Sequence, residues 1–205
     1  MRKLIALFMA ALLLLALVGC ASDNEATEAP KTEATTEATT EAPEPVVTVD
    51  DPLEILNNVW AGYTDEEKFP AAGGDFSEEN SNMEGPGRFS LEDLETLEYL
   101  LLMPADTAAM VDDAASLTHM MNANTFTCGA FHVTNAADVD AVVAALKDKI
   151  TTNQWMCGFP DDLYIITIDN CVISVFGNAE LTANFVAKTQ SAYENAVIAC
   201  NEPLI

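Results

Sequence analysis

Hydrophobic positions fall along this chain in three regimes. Leu4 to Val18 runs without a polar residue, residues 21–49 contain no aromatic residue, and from residue 50 onward apolar positions recur at structured intervals. In the third regime Asp51, Pro52 and Glu54 combine a cap, a residue suited to the first helical position and the far member of a capping box. Leu53, Leu56, Val59, Trp60 and Tyr63 follow at helical spacing, which predicts a helix over 52–63. Residues 64–89 read as a long loop, with Gly73-Gly74, Gly85-Pro86-Gly87 and clustered Asp, Glu, Asn and Ser. Ser90 is the expected cap of a second helix, with Leu91, Leu94, Leu97, Leu100 and Leu101 along one side and Pro104 at its end. A short helix is expected over 105–113.

Beyond residue 115 the pattern changes to strands. Residues 116–121 and 125–133 read as two strands joined by Asn122-Ala123-Asn124. Asn135 caps an amphipathic helix with Val139, Val142, Val143, Leu146 and Ile150 on one side. Residues 163–168 and 172–176 are rich in β-branched and aromatic residues, and Asp169-Asn170 between them suits a tight turn. Asn178 opens a final helix carrying Leu181, Phe185, Val186, Tyr193 and Val197. The expected fold is α+β: an antiparallel four-stranded sheet in ββα-ββα order with its helices on one face, preceded by N-terminal helices. The two halves echo each other in element order, not in residues.

The first regime carries targeting information. Met1-Arg2-Lys3 places two positive charges ahead of the apolar run. The 15 residues of that run fall short of a bilayer-spanning helix and suit the apolar part of a secretory signal. Leu17-Val18-Gly19-Cys20 follows. This resembles the lipobox of bacterial lipoproteins, in which the cysteine thiol takes a diacylglyceryl group and a peptidase cuts just before it. The resemblance implies a signal peptide over 1–19, lipidation at Cys20 and attachment to the extracytoplasmic face of the cell membrane. Stable attachment needs two or more acyl chains. Residues 20–49 then form an acidic stalk. Thr-Glu-Ala recurs at 27–29, 32–34, 36–38 and 40–42, and Pro30, Pro43 and Pro45 stiffen the segment. Its composition cannot bury enough apolar surface to offset chain entropy, so the stalk is expected to be disordered. Residues 50–205 are expected to form a single domain.

The arrangement also resembles a family of uncharacterised lipoproteins from Gram-positive anaerobes, which pair a lipobox and an acidic stalk with a small α+β domain. The residues that carry this likeness are the run from Asn135 to Val142 after a strand and the strand pair from 163 to 176. The resemblance implies no activity and carries over no functional residue.

Charge narrows the partners. The chain has 33 Asp and Glu against 8 Lys and Arg, a formal net charge of −25, which becomes −27 once Arg2 and Lys3 leave with the signal. Residues 50–205 alone hold 26 acids and 5 bases, a net of −21. Such a surface excludes a generic nucleic-acid binder, which needs cations against phosphate, and opposes docking on anionic lipid. It favours a cationic partner through electrostatic steering.

Candidate chemistry is sparse. Trp155-Met156-Cys157-Gly158-Phe159-Pro160 shares residue types with a thioredoxin site, but it lacks Cys-x-x-Cys, and Pro160 blocks the helix such a site opens. It reads as a packed connector, with Trp155 and Phe159 as candidate partner contacts if they are exposed. Cys128, Cys157, Cys171 and Cys200 allow two disulfides in three connectivities. Cys128 and Cys171 sit in apolar runs, which favours unpaired core thiols over disulfides, and the spacings match no paired zinc motif. His119 and His132 fall on adjacent predicted strands. Cys128 and His132 share a strand, about 13 Å apart, too far for a direct pair. Asp65, Glu66, Glu67, Asp75, Glu78, Glu79 and Glu84, with Asn80 and Asn82, offer oxygen ligands for Ca²⁺, but not in EF-hand order, and a solvated loop is the favoured reading. Nucleotide, zinc-protease and serine-hydrolase motifs are missing from the sequence. No catalytic residue, metal ligand or cofactor is therefore expected. The expected function is that of a membrane-anchored binding module for an envelope or extracellular partner, with the 64–89 loop as the contact surface. The alternative is a carboxylate-dependent cell-envelope hydrolase, because paired acids leave no sequence signature.

Overall fold

The computed structural model describes residues 49–204. The expected signal peptide, the lipidation site Cys20 and the stalk lie outside the described residues up to residue 48. Asp51 caps the first helix as its position suggests: its Oδ1 accepts from Leu53 N at 2.8 Å and Glu54 N at 3.2 Å, with Pro52 in the first turn. The elements that follow are α1 (Pro52–Ala61), β1 (Ala71–Ala72), β2 (Gly87–Arg88), α2 (Leu94–Leu101), β3 (Val111–His119), β4 (Phe126–Val133), α3 (Val139–Thr151), β5 (Asp162–Ile168), β6 (Cys171–Gly177), α4 (Ala179–Ala192) and β7 (Val197–Pro203). The fold is α+β, with every strand pair antiparallel.

The sheet has seven strands where four were expected. Its order is β1-β3-β4-β6-β5-β7, and β2 lies beside β1 on the same edge of β3. Two segments account for the three extra strands. The 64–89 loop contributes β1 and β2, and the end of the expected final helix contributes β7. Asn178 does cap that helix, accepting from Glu180 N, but α4 ends at Ala192, Tyr193 is already extended, and Val197 opens β7 against β5. Separately, the expected 105–113 helix is only a turn over Ala108–Met110, after which β3 begins at Val111. A second helix starts later than expected, because Asp93, not Ser90, accepts from Thr96 N as its cap.

Helices cover both faces of the sheet, not one. β6 is buried at every position and β4 at all but His132, so neither strand has a solvent side. Strands apolar on both sides need cover on both. On one face Ile55 and Val59 of α1 and Phe185 of α4 pack against Phe126 and Ile173. On the other, Leu97 of α2 and Leu146 and Ile150 of α3 pack against Phe131 and Val172. Among the described residues no helix is long and apolar enough to cross a membrane.

At one end of the sheet β3 stops at His119, β4 starts at Phe126, β5 starts at Asp162 and β6 stops at Gly177, with Phe126 and Asp162 both paired to Gly177. This loop end collects the 64–89, 120–125 and 152–161 connections.

Candidate functional site

The β3–β4 connection is built as a rigid tip. Asn122 Oδ1 accepts from Asn124 N at 2.9 Å, and Thr127 Oγ1 donates to Ala123 O at 2.9 Å. The two asparagine amides then hold the 152–161 loop: Asn122 Nδ2 donates to Cys157 O, and Asn124 Nδ2 to Met156 O and Gly158 O, at 2.9–3.2 Å. Three clefts meet at this tip. A cleft of about 310 Å³ runs between the β1 edge and α2, one of about 580 Å³ between α2, the end of α3 and Trp155, and one of about 420 Å³ beside Phe159 and the start of α4. The first two share Leu100 and Ala123, the first and third share Asn122, and the second and third share Asn124. The three clefts thus adjoin one another around residues 122–124, and together they make the loop-end groove.

Large apolar side chains stand out of this groove into solvent. Phe76 is 78% exposed and Met121 80%, and Met83, Tyr99, Met120 and Met156 are exposed beside them. Of the exposed large apolar residues described, only Leu94, Val197 and Ile198 lie elsewhere. Phe76 and Cys157 hold positive φ, at 67° and 62°, a conformation that costs a side-chain-bearing residue energy and is kept where the surroundings impose it. At position 76 it belongs to a loop that turns an aromatic ring outward.

The aromatic candidates divide. Trp155 is half-buried and rests on the second core, its ring 5.2 Å from that of Phe176, while one side borders the 580 Å³ cleft. Phe159 is exposed and lines the third cleft. The 64–89 segment supplies Phe76 and Met83 to the groove. The sequence pattern places Met120 and Met121 within a strand over 116–121, whereas β3 ends at His119 and both are exposed. Paired methionines just before an Asn-Ala-Asn turn were the available signal.

The acidic part of the 64–89 segment is a folded loop rather than a ligand cage. The Asp75 carboxylate accepts from Ser77 N, Ser77 Oγ, Asn80 Nδ2 and Ser90 N at 2.6–3.0 Å. Burial opposes its charge, but these bonds outweigh burial and hold its pKa down at about 2. Asp51, Glu67 and Asp93 are likewise held below the ordinary carboxylate range. Downward shifts suit structural anions and not proton donors.

The structure separates the two histidines and brings together a pair the sequence did not suggest. His119 sits at the loop end, its ring stacked 5.6 Å from Phe69, with Nδ1 accepting from Met121 N. His132 lies at the far end, directly across from Cys171 in the β4–β6 register, and its Nδ1 is 2.5 Å from Asp112 Oδ1. The order Cys–His–Asp resembles a nucleophile relay in name only. Cys171 is fully buried and its thiol donates to Val49 O at 3.6 Å. Burial, then the carboxylates of Asp50, Asp169, Asp113 and Asp51, push that thiol up to about 12, so no thiolate is available at neutral pH. Cys128, Cys157, Cys171 and Cys200 are all unpaired, with Cys157 alone exposed. Comparison of the chain with known proteins finds no matching family model, no matching curated protein and no matching solved structure.

Proposed function

We propose that this protein is a lipoprotein of the cell envelope. In this reading Cys20 carries the lipid, residues 20–49 act as a stalk, and the domain binds a partner outside the membrane through the loop end of its sheet. The lipobox and the likeness to envelope lipoproteins of Gram-positive anaerobes support the anchor. The observation that carries the binding role is the gathering of exposed Phe76, Met83, Tyr99, Met120, Met121 and Met156 along two adjoining clefts at the loop end. Contiguous apolar surface of this kind marks interaction sites, and methionine adapts to varied partners. The rival reading, a carboxylate-dependent hydrolase, would need two convergent carboxylates in a closed cleft. Glu95 and Glu98 line an open one, and Glu98 is bound to Lys149 at 2.5 Å. A stalk suits a domain whose partner lies away from the bilayer.

The test is metabolic labelling with a palmitate analogue in a Gram-positive host, together with protease treatment of intact cells. The expected result is label on the wild-type chain, none on Cys20→Ala, and digestion of the domain from outside. Label retained by Cys20→Ala, or a domain protected in intact cells, overturns the envelope assignment.

A further inference from the structure

We propose that the loop-end groove docks a cationic amphipathic polypeptide segment, whose apolar side chains enter the cleft between β1 and α2 and whose Lys or Arg side chains meet the surrounding acids. This rests on the reading of the loop end as the contact surface and names its occupant. The cleft itself supplies the apolar contact. At about 310 Å³ it lies at the small end of ligand pockets, and Phe89, Leu100 and Leu101 form its floor while Phe76, Met83 and Met121 stand at its rim. A cleft of that size seats one or two bulky side chains of a chain lying across it. Flexible methionines let such a surface accept aromatic or branched side chains alike.

The charged contact follows from what the cations already do. The five bases of residues 50–205 are all engaged. Arg88 binds Asp51 and Asp113, Lys147 binds Glu202, Lys149 binds Glu98, Lys188 binds Glu67, and Lys68 lies 5.8 Å over the Trp60 ring. With 26 acids against these five bases, residues 50–205 keep a large excess of negative charge. Around the groove Glu95 and Glu98 line the wider cleft, and Glu78, Glu79 and Glu84 are exposed on the loop that carries Phe76 and Met83. Among the described residues the only lysine or arginine lining the three clefts is Lys149, already held by Glu98, and His119 lines the cleft beside β1. No acid lines the 310 Å³ cleft itself, but Glu95 lines the adjoining one, and the net charge of −21 over residues 50–205 favours a partner that is cationic and amphipathic over anionic lipid or a second copy of this chain.

The test uses residues 20–205 with Cys20→Ser and a fluorescein-labelled synthetic peptide of Leu, Lys and one Trp, followed by anisotropy. Its counterpart has Glu in place of every Lys. The expected result is saturable binding of the Lys peptide and none of the Glu peptide. Affinity should fall by about tenfold or more in Phe76→Ser/Met121→Ser, again in Glu78→Lys/Glu95→Lys, and at about 0.5 M salt. Val197→Ser/Ile198→Ser, at the opposite end of the sheet, should leave it unchanged. Circular dichroism confirms that each exposed-site variant is folded. Equal binding of the two peptides, or equal loss in the Val197/Ile198 variant, overturns the proposal. An environment-sensitive apolar dye separates it from the reading beneath it. Dye binding that drops in Phe76→Ser/Met121→Ser while no peptide binds overturns the cationic segment and keeps the loop end as a contact surface. Dye binding indifferent to that variant overturns both.

Discussion

Asp75 shows how much one side chain organises in a segment that reads as an unstructured acidic loop. Its four accepted hydrogen bonds join residues 77, 80 and 90, and so tie the Phe76 turn to the strand-to-helix connection before α2. Its folded pKa, about 2, lies below the ordinary 3.8, so the unfolded chain binds this proton more tightly. The stabilisation is therefore present in full above 3.8 and is lost as pH falls from 3.8 towards 2. Asp75→Asn keeps the shape and removes the charge. It should cost about 1–2 kcal/mol at pH 7 and flatten the pH dependence in that acid window, measured by urea unfolding at a series of pH values. Equal acid sensitivity in wild type and variant would assign the shift to other carboxylates. Nothing in the sequence separates Asp75 from Glu78 or Glu79 nearby. All three are acids within five residues of Ser77 and Asn80, and only the fold decides which one faces the donors.

At the level of elements, the edge of the sheet depends on a contact too close for any side chain. β1 and β2 reach the same edge of β3, and Gly73 and Gly87 lie against one another there. A Cβ at Gly73 would overlap Gly87 N and Ser116 O, both backbone atoms that cannot swing away. Ser116 Oγ accepts from Gly74 N at 2.9 Å and completes the clasp. Gly73→Ala should release the 64–89 segment from β3 while the β4–β6–β5 ladder persists. Limited proteolysis should cut the variant between 64 and 89 and spare it between 126 and 177. Resistance equal to wild type would show that the edge absorbs the methyl group. The elements that could be read in advance were those with local signals: the Asp51 and Asn178 caps, the α3 stripe, and the Asp169-Asn170 turn, where Asp169 takes φ 49°. β7 was misread because Tyr193 and Val197 satisfy helical spacing. Pairing with β5, which no local pattern records, outweighs that spacing.

For the molecule as a whole the dominant quantity is unbalanced charge. With 26 acids and 5 bases over residues 50–205, the folded state compresses like charges that the unfolded chain spreads apart. Raising sodium chloride from about 0.05 M to about 0.5 M shortens the screening length severalfold and should raise Tm by a few degrees. Calorimetry reads this directly, and a Tm that falls with salt would mean that the five engaged cations outweigh the repulsion. The same screening weakens capture of a cationic partner. Stability and binding are thus expected to respond to salt in opposite directions, which a single titration series can show.

The sequence by itself determined the features that depend on neighbours along the chain. These are the three regimes of hydropathy, the α+β class, the Asp51 and Asn178 helix caps, the turn between β5 and β6 and the sign of the charge. Tertiary structure alone decided what depends on residues far apart. Uninterrupted apolar runs such as 171–177 fit burial under one layer or two, and only packing shows helices on both faces. Met120 and Met121 are exposed and Met103 is buried, although all three are methionines, since a residue's burial is set by what the rest of the chain brings to it. The groove is of the same kind. Its parts come from residues 72–89, 95–102, 116–127, 149–161 and 176–181, and they become a surface only because the sheet ends where those connections meet.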